Sequence, residues 1–354
     1  MKGWFEMDEM KVALMTEPGK LSIVKRDIPK IKDDEVLVKI QHVGLCGSDL
    51  HYYENGRIGD FIVKKPIVLG HEAAGEVIEV GKDVKTLEKG NLVALEPGIT
   101  CGKCDFCKSG KYNLCADVEF LATPPYDGAF VEYIAYPEDM CFKLPQGMDT
   151  VEGALIEPLA VGFHAANQAN AQIGESAVVL GAGCIGLVTL MSLLARGVKE
   201  VYIVDLINLR LEKAEEIGAK KVLNAKDVNI IDEIMKLTNN QGVDIVIETA
   251  GSKVATQQTV DLVKRGGRIV LVGLAANPVI DYDFGKLQAK EALINTVFRY
   301  RNIYPAAIKA VSDKTIDLKQ IVSDTFGLSE IKKAFDYNIQ NKSATVKIVI
   351  DMNK

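Results

Sequence analysis

Apolar and polar positions change rhythm along the chain. Ala177-Val178-Val179-Leu180 is an unbroken apolar run, as a strand covered on both faces requires. Gly181-Ala182-Gly183-Cys184-Ile185-Gly186 follows it, and apolar positions then recur at helical spacing through Leu187, Leu190, Leu193 and Leu194. The pattern predicts strand, glycine turn, helix. A second strand over 201–204 ends in Asp205, and an amphipathic helix over 209–217 closes at Gly218, a residue suited to a helix C-terminus. Strands are expected near 221–224, 244–248, 268–273 and 292–298, with helices around 230–237 and 255–264. This alternation predicts a doubly wound parallel sheet.

Earlier in the chain the rhythm is different. Short β-rich runs such as 35–40 and 76–80 lie between turn residues and predict an antiparallel β domain. A helix around 331–338 and a β run over 344–350 close the chain and are expected to return to that first domain. The predicted organisation is an α/β chain with a catalytic β domain over 1–159, a Rossmann domain over 160–299, and a return to the first domain over 300–354. No internal repeat or low-complexity segment interrupts it.

The uncharged stretch 177–195 is long enough to cross a bilayer, but Gly181, Gly183 and Gly186 interrupt it in an order with another explanation. The acids among residues 6–9 leave no apolar core for a secretory signal, so a cytoplasmic protein is expected. With 48% hydrophobic and 25% charged residues, the composition is that of a globular protein, not a disordered one. A net charge of −6 leaves no basic excess for a phosphate backbone or an anionic lipid surface, so neither nucleic acid nor membrane is an expected partner.

The candidate chemistry lies in three motifs. In the glycine turn, Gly181 permits the tight turn, Gly183 lets backbone approach a pyrophosphate, and Gly186 allows close helix–strand packing. Asp205, nineteen positions after Gly186 at a strand end, suits the ribose hydroxyls and repels a 2′-phosphate, which selects NAD over NADP. Cys101, Cys104, Cys107 and Cys115, four of the seven cysteines, lie in a loop rich in glycine and lysine, as a closed tetrahedral zinc site requires. A bacterial iron–sulfur motif would have a shorter last gap and a following proline. Cys141 and Cys184 sit in apolar surroundings and are expected to pack. Cys46, in Gly44-Leu45-Cys46-Gly47-Ser48-Asp49, and Gly70-His71-Glu72 supply a thiolate, an imidazole and a carboxylate, the mixed set that leaves a position open on zinc.

Gly70-His71-Glu72, continued by Gly75, Gly81 and Val84, resembles the zinc signature of the medium-chain alcohol dehydrogenases. With the cysteine lobe and the glycine turn, the likeness runs over nearly the whole chain. Within that family the chain is most similar to the polyol dehydrogenases, through Cys46-Gly47-Ser48-Asp49-Leu50-His51-Tyr52, Phe120-Leu121-Ala122-Thr123-Pro124-Pro125, Glu157-Pro158-Leu159-Ala160-Val161-Gly162 and Phe298-Arg299-Tyr300. The complete set of four lobe cysteines, which some animal polyol dehydrogenases lack, extends the likeness to microbial butanediol and threonine dehydrogenases.

The resemblance implies a GroES-like β domain beside the Rossmann domain, one catalytic and one structural zinc, and NAD. It implies that Cys46, His71 and Glu72 hold the catalytic zinc, with Glu157 joining the metal or touching its water. Ser48 and His51 match a proton relay, with Glu157 as the competing route. Tyr52, Phe120, Glu157, Arg299 and Tyr300 match the polyol pocket. Gly181, Gly183, Ile185 and Gly186 match the phosphate turn, Asp205 and Arg210 the adenosine ribose, and Val272, Gly273, Leu274 and Val297 the nicotinamide surroundings. The implied reaction is reversible oxidation of a polyol to a ketose by a homodimer or homotetramer. The alternatives are a butanediol or threonine dehydrogenase and a non-catalytic NAD-binding member of the fold.

Overall fold

The computed structural model describes residues 9–275 and 279–354. They divide into two compact units: the described residues up to Glu157 with Val322–Lys354, and Pro158–Ile321. The first crossing thus lies two residues from the expected 159/160, whereas the return falls at 321/322 and not at 299/300. Between those positions Tyr304–Ser312 forms a helix that buries Ala307, Ile308 and Val311 and counts with the second unit.

The first unit is built on a seven-stranded sheet in the order Cys141–Lys143, Leu92–Leu95, Glu72–Val80, Glu35–Leu45, Lys347–Asp351, Val322–Gly327, with Tyr133–Pro137 also pairing with Glu35–Leu45. All its pairings are antiparallel except that of the last two strands. The strand Glu35–Leu45 is buried along most of its length, since neighbours pair with it on both sides and Val36, Val38, Ile40 and Val43 join one apolar core with Val77, Phe130 and Ile350. A helix, Ile331–Gln340, packs Ala334 and Phe335 into the same core. The expected β run at 344–350 is observed as Lys347–Asp351.

The second unit is a six-stranded, wholly parallel sheet in the order Lys221–Asn224, Glu200–Asp205, Ser176–Leu180, Val243–Glu248, Val263–Leu271, Leu293–Thr296. Its strand order reverses beside the central strand Ser176–Leu180, and in such sheets ligands bind outside the carboxyl ends of the strands at that point. The glycine turn stands there. The apolar stretch 177–195 resolves into that strand and the twelve-residue helix Cys184–Ala195, and no helix of the described residues is long and apolar enough to cross a membrane.

Candidate active site

In the glycine turn, Gly181 adopts φ +106°, and a Cβ on Gly186 would fall 1.9 Å from the Gly181 carbonyl oxygen. Only glycine lets the turn close on the helix behind it. Gly183 differs: a Cβ there would meet nothing nearer than Arg210 Nη1 at 3.9 Å, so the backbone faces open space at the start of Cys184–Ala195. That is the cradle a pyrophosphate needs. Ile185 is half-buried in the first turn of that helix. One oxygen of Asp205 accepts from the Ala182 amide at 2.6 Å, and the other from Leu206 and Ile207 at 2.7 and 3.0 Å. Val272 and Gly273 donate to the Glu248 carbonyl, and Val297 donates to that of Leu271, so these segments follow the carboxyl ends of adjacent strands. Leu274, also expected there, is 74% exposed.

The sulfurs of Cys101, Cys104, Cys107 and Cys115 all lie within 4.8 Å of one another, with Cys104 and Cys107 at 3.5 Å and Cys101 and Cys107 at 3.9 Å. The amides of Lys103 and Cys104 hold the Cys101 pKa down at about 6, toward the thiolate that binds metal. Four soft donors within this span fit a tetrahedral zinc. Cys141 is buried, as expected, and Cys184 is half-buried at the start of its helix.

The ligand atoms of Cys46, His71 and Glu72 form a second group within the same 4.8 Å limit, mostly buried. Asp49, fully buried in the first turn of the short helix Gly47–Asn55, joins its parts. One oxygen accepts from the Cys46 amide at 3.0 Å; the other accepts from the Gly70 amide at 2.9 Å and lies 3.6 Å from His71 Nδ1. Sequence reading passed over Asp49 as a site residue, although its place three positions after Cys46, at a helix start, was a usable signal. Burial works against a charged His71 ring, yet Asp49 and Cys46 hold its pKa well above the ordinary value. The Glu72 carboxylate is bound by a buried lysine, Lys347, which the sequence did not single out either.

Glu157 is buried near the start of Ile156–Gln168 but is not part of the Cys46–His71–Glu72 group. It lies close enough to Glu96 to raise that residue's pKa. The Phe120 ring stands 5.8 Å from that of His71. Tyr52 is buried in the first unit's core, Ser48 is half-buried on the same helix, and His51 on that helix is exposed. In the second unit, Arg299 adopts φ +56° with its guanidinium 4.9 Å from the Phe298 ring, and Tyr300 is buried with its ring 5.8 Å from Tyr304.

Comparison with known proteins agrees with this construction in both units. The alcohol dehydrogenase GroES-like domain matches residues 32–146, and the zinc-binding dehydrogenase domain matches 184–313. The sorbitol dehydrogenase of Bacillus subtilis (strain 168) is 42% identical over 345 residues, 98% of each chain. An Escherichia coli oxidoreductase of unknown specificity superposes with a TM-score of 0.94 at 42% identity, covering 97% of this chain and 99% of that one. An alcohol dehydrogenase from E. coli CFT073, crystallised with NADH, gives a TM-score of 0.91 at 29% identity over 98% of this chain and 100% of that one. A likeness that spans both metal motifs and the dinucleotide turn, end to end with the sorbitol dehydrogenase of B. subtilis, makes the chain a member of the zinc-binding medium-chain alcohol dehydrogenase family.

Proposed function

We propose that the chain is a zinc- and NAD-dependent polyol dehydrogenase, which oxidises a secondary hydroxyl to a ketose and reduces the ketose in the reverse direction. The observation that carries the reading is the buried group of Cys46, His71 and Glu72: three protein donors of mixed chemistry are what a catalytic zinc takes, whereas a structural zinc takes four. The sorbitol dehydrogenase of B. subtilis supports the substrate class, and the NADH complex of the E. coli relative supports the cofactor.

When bound, zinc supplies a Lewis acid for the substrate oxygen and NAD a hydride acceptor. Cys46, His71 and Glu72 would hold that zinc, and Cys101, Cys104, Cys107 and Cys115 the structural one. Asp49 keeps Cys46 and His71 in place. Ser48 and His51 run from half-buried to exposed on one helix and would carry the released proton toward water, with Glu157 as the second route. Tyr52, Phe120, Arg299 and Tyr300 would bind and orient the polyol. Gly181, Gly183, Ile185 and Gly186 would seat the pyrophosphate, Asp205 and Arg210 the adenosine ribose, and Val272, Gly273, Leu274 and Val297 the nicotinamide. The first unit is then the catalytic domain and the second the cofactor domain.

Leu293–Thr296 is an outer strand of the parallel sheet, and Leu293 on it is 60% exposed. We read it as the edge through which a homodimer, or a tetramer of such pairs, forms. The seven cysteines form no disulfide with one another, which suits the cytoplasm.

The test is a panel of sorbitol, xylitol, 2,3-butanediol and threonine with NAD, followed by NADH absorbance. Polyols are expected to be the best substrates. Turnover of butanediol or threonine alone would move the enzyme to another branch of the family, and NAD binding without turnover of any of them would make it a non-catalytic member.

A further inference from the structure

Lys347 is 3% exposed, and its ammonium lies 2.7 and 2.8 Å from the two carboxylate oxygens of Glu72, itself 1% exposed. It also donates to the Leu45 carbonyl at 3.1 Å. Strand register creates this meeting. Lys347–Asp351 places Ile348 opposite Leu45, and Glu35–Leu45 places Gly44 opposite Glu72. A Cβ on Gly44 would fall 1.9 Å from Glu72 Oε2, so the carboxylate occupies space that any other residue at 44 would fill. Glu72 is thereby within reach of Lys347 and of the Cys46–His71 pair at once.

Charge balance gives the lysine its role. A dication held by the Cys46 thiolate, the Glu72 carboxylate and neutral His71 has its charge cancelled, and buried Asp49 against His71 adds one negative charge. Lys347 restores the balance. A unit charge on the far side of a shared carboxylate is expected to shift a metal equilibrium by about tenfold or more at the effective dielectric of a protein interior. Resting on the zinc assignment above, we propose that Lys347 is a positioning residue that shares Glu72 with the catalytic zinc, so that the metal is held less tightly and is a stronger acid toward the substrate oxygen than its three ligands alone would make it.

The two effects have opposite signs on removal of the charge, which a merely structural lysine would not produce. The measurement is zinc release from the full-length holoenzyme to a chromogenic chelator at pH 8, with the catalytic site identified as the phase missing from Cys46→Ser. Lys347→Met is expected to slow that phase about tenfold or more, and, fully zinc-loaded, to lower kcat/KM for its polyol by a similar factor. Lys347→Arg should restore both. Lys347→Gln, which keeps hydrogen bonds to Glu72 without the charge, gives the same readout should the methionine variant fail to fold. Release as fast as wild type, or faster, from a natively folded Met or Gln variant overturns the proposal. Absence of any Cys46-dependent phase in the wild type instead overturns the zinc assignment on which it rests.

Discussion

Asp205 braces the glycine turn with both of its carboxylate oxygens. It accepts amide hydrogens from the glycine turn and from the two residues after its own strand, and in the ribose-binding role proposed for it the same charge would repel a 2′-phosphate. The enzyme should therefore use NAD well and NADP poorly, and Asp205→Ser should narrow the ratio of kcat/KM values by about tenfold or more, the size of one removed charge repulsion. Equal use of both cofactors by the wild type would refute the role. Glu96 makes a different prediction. Burial raises its pKa from 4.5 to about 7, the hydrogen bond from Tyr112 at 2.7 Å opposing and the nearby Glu157 and Asp139 adding to the rise. A carboxyl raised on folding contributes stability that is complete below about pH 4.5 and lost as pH climbs through 7. Glu96→Gln keeps an acceptor for Tyr112 and removes the titration. Between pH 4.5 and 8, denaturant unfolding of the variant should lack a decline of about 3 kcal/mol that the wild type shows.

Whole elements show why some of the site could be read from sequence and some could not. The glycine turn, Asp205 and the cysteine lobe each lie within a short window, so spacing alone announced them. Lys347 meets Glu72 across 275 positions of sequence, and no local pattern encodes that pairing. The fifth strand of the parallel sheet was expected from 268 but begins at Val263; Gly266 and Gly267 look like a turn in sequence, yet the strand runs through them with a register shift in its pairing. The cysteine lobe carries the clearest consequence at this scale. Its α-helix, Asp105–Lys108, buries nothing, its 3-10 turn Tyr112–Leu114 buries only the polar Asn113, and Phe106 and Leu114 are exposed, so the lobe has little apolar core of its own. The zinc proposed for the four cysteines would take that place. Cys104→Ser should lower Tm by about 5–15 °C, while the hydride-transfer rate of enzyme still loaded at Cys46 should change less than about threefold. Differential scanning calorimetry and single-turnover kinetics separate the two outcomes.

For the whole molecule, the two groups of ligands predict two zinc ions per chain by metal analysis, and the two sites should part company as pH falls. Protons compete with metal for the His71 nitrogen and the Cys46 sulfur, so zinc at the Cys46 site is expected to be held more weakly as pH falls. Dialysis against buffers from pH 8 to 5 followed by zinc determination checks this; retention of both ions at pH 5 would count against it. The seven-stranded sheet has a further consequence, for the order of events during synthesis. Lys347–Asp351 is not at its rim but between Glu35–Leu45 and Val322–Gly327, so the ribosome delivers two adjoining strands of one sheet about 300 residues apart. The parallel sheet of 158–321 has all its strands in hand before the first unit can close. Until then, Glu72 has no lysine and the early strands present an open edge. A nascent chain therefore carries Cys46, His71 and Glu72 long before the buried lysine that pairs with Glu72, and the last strand of the sheet completes the surroundings of that carboxylate.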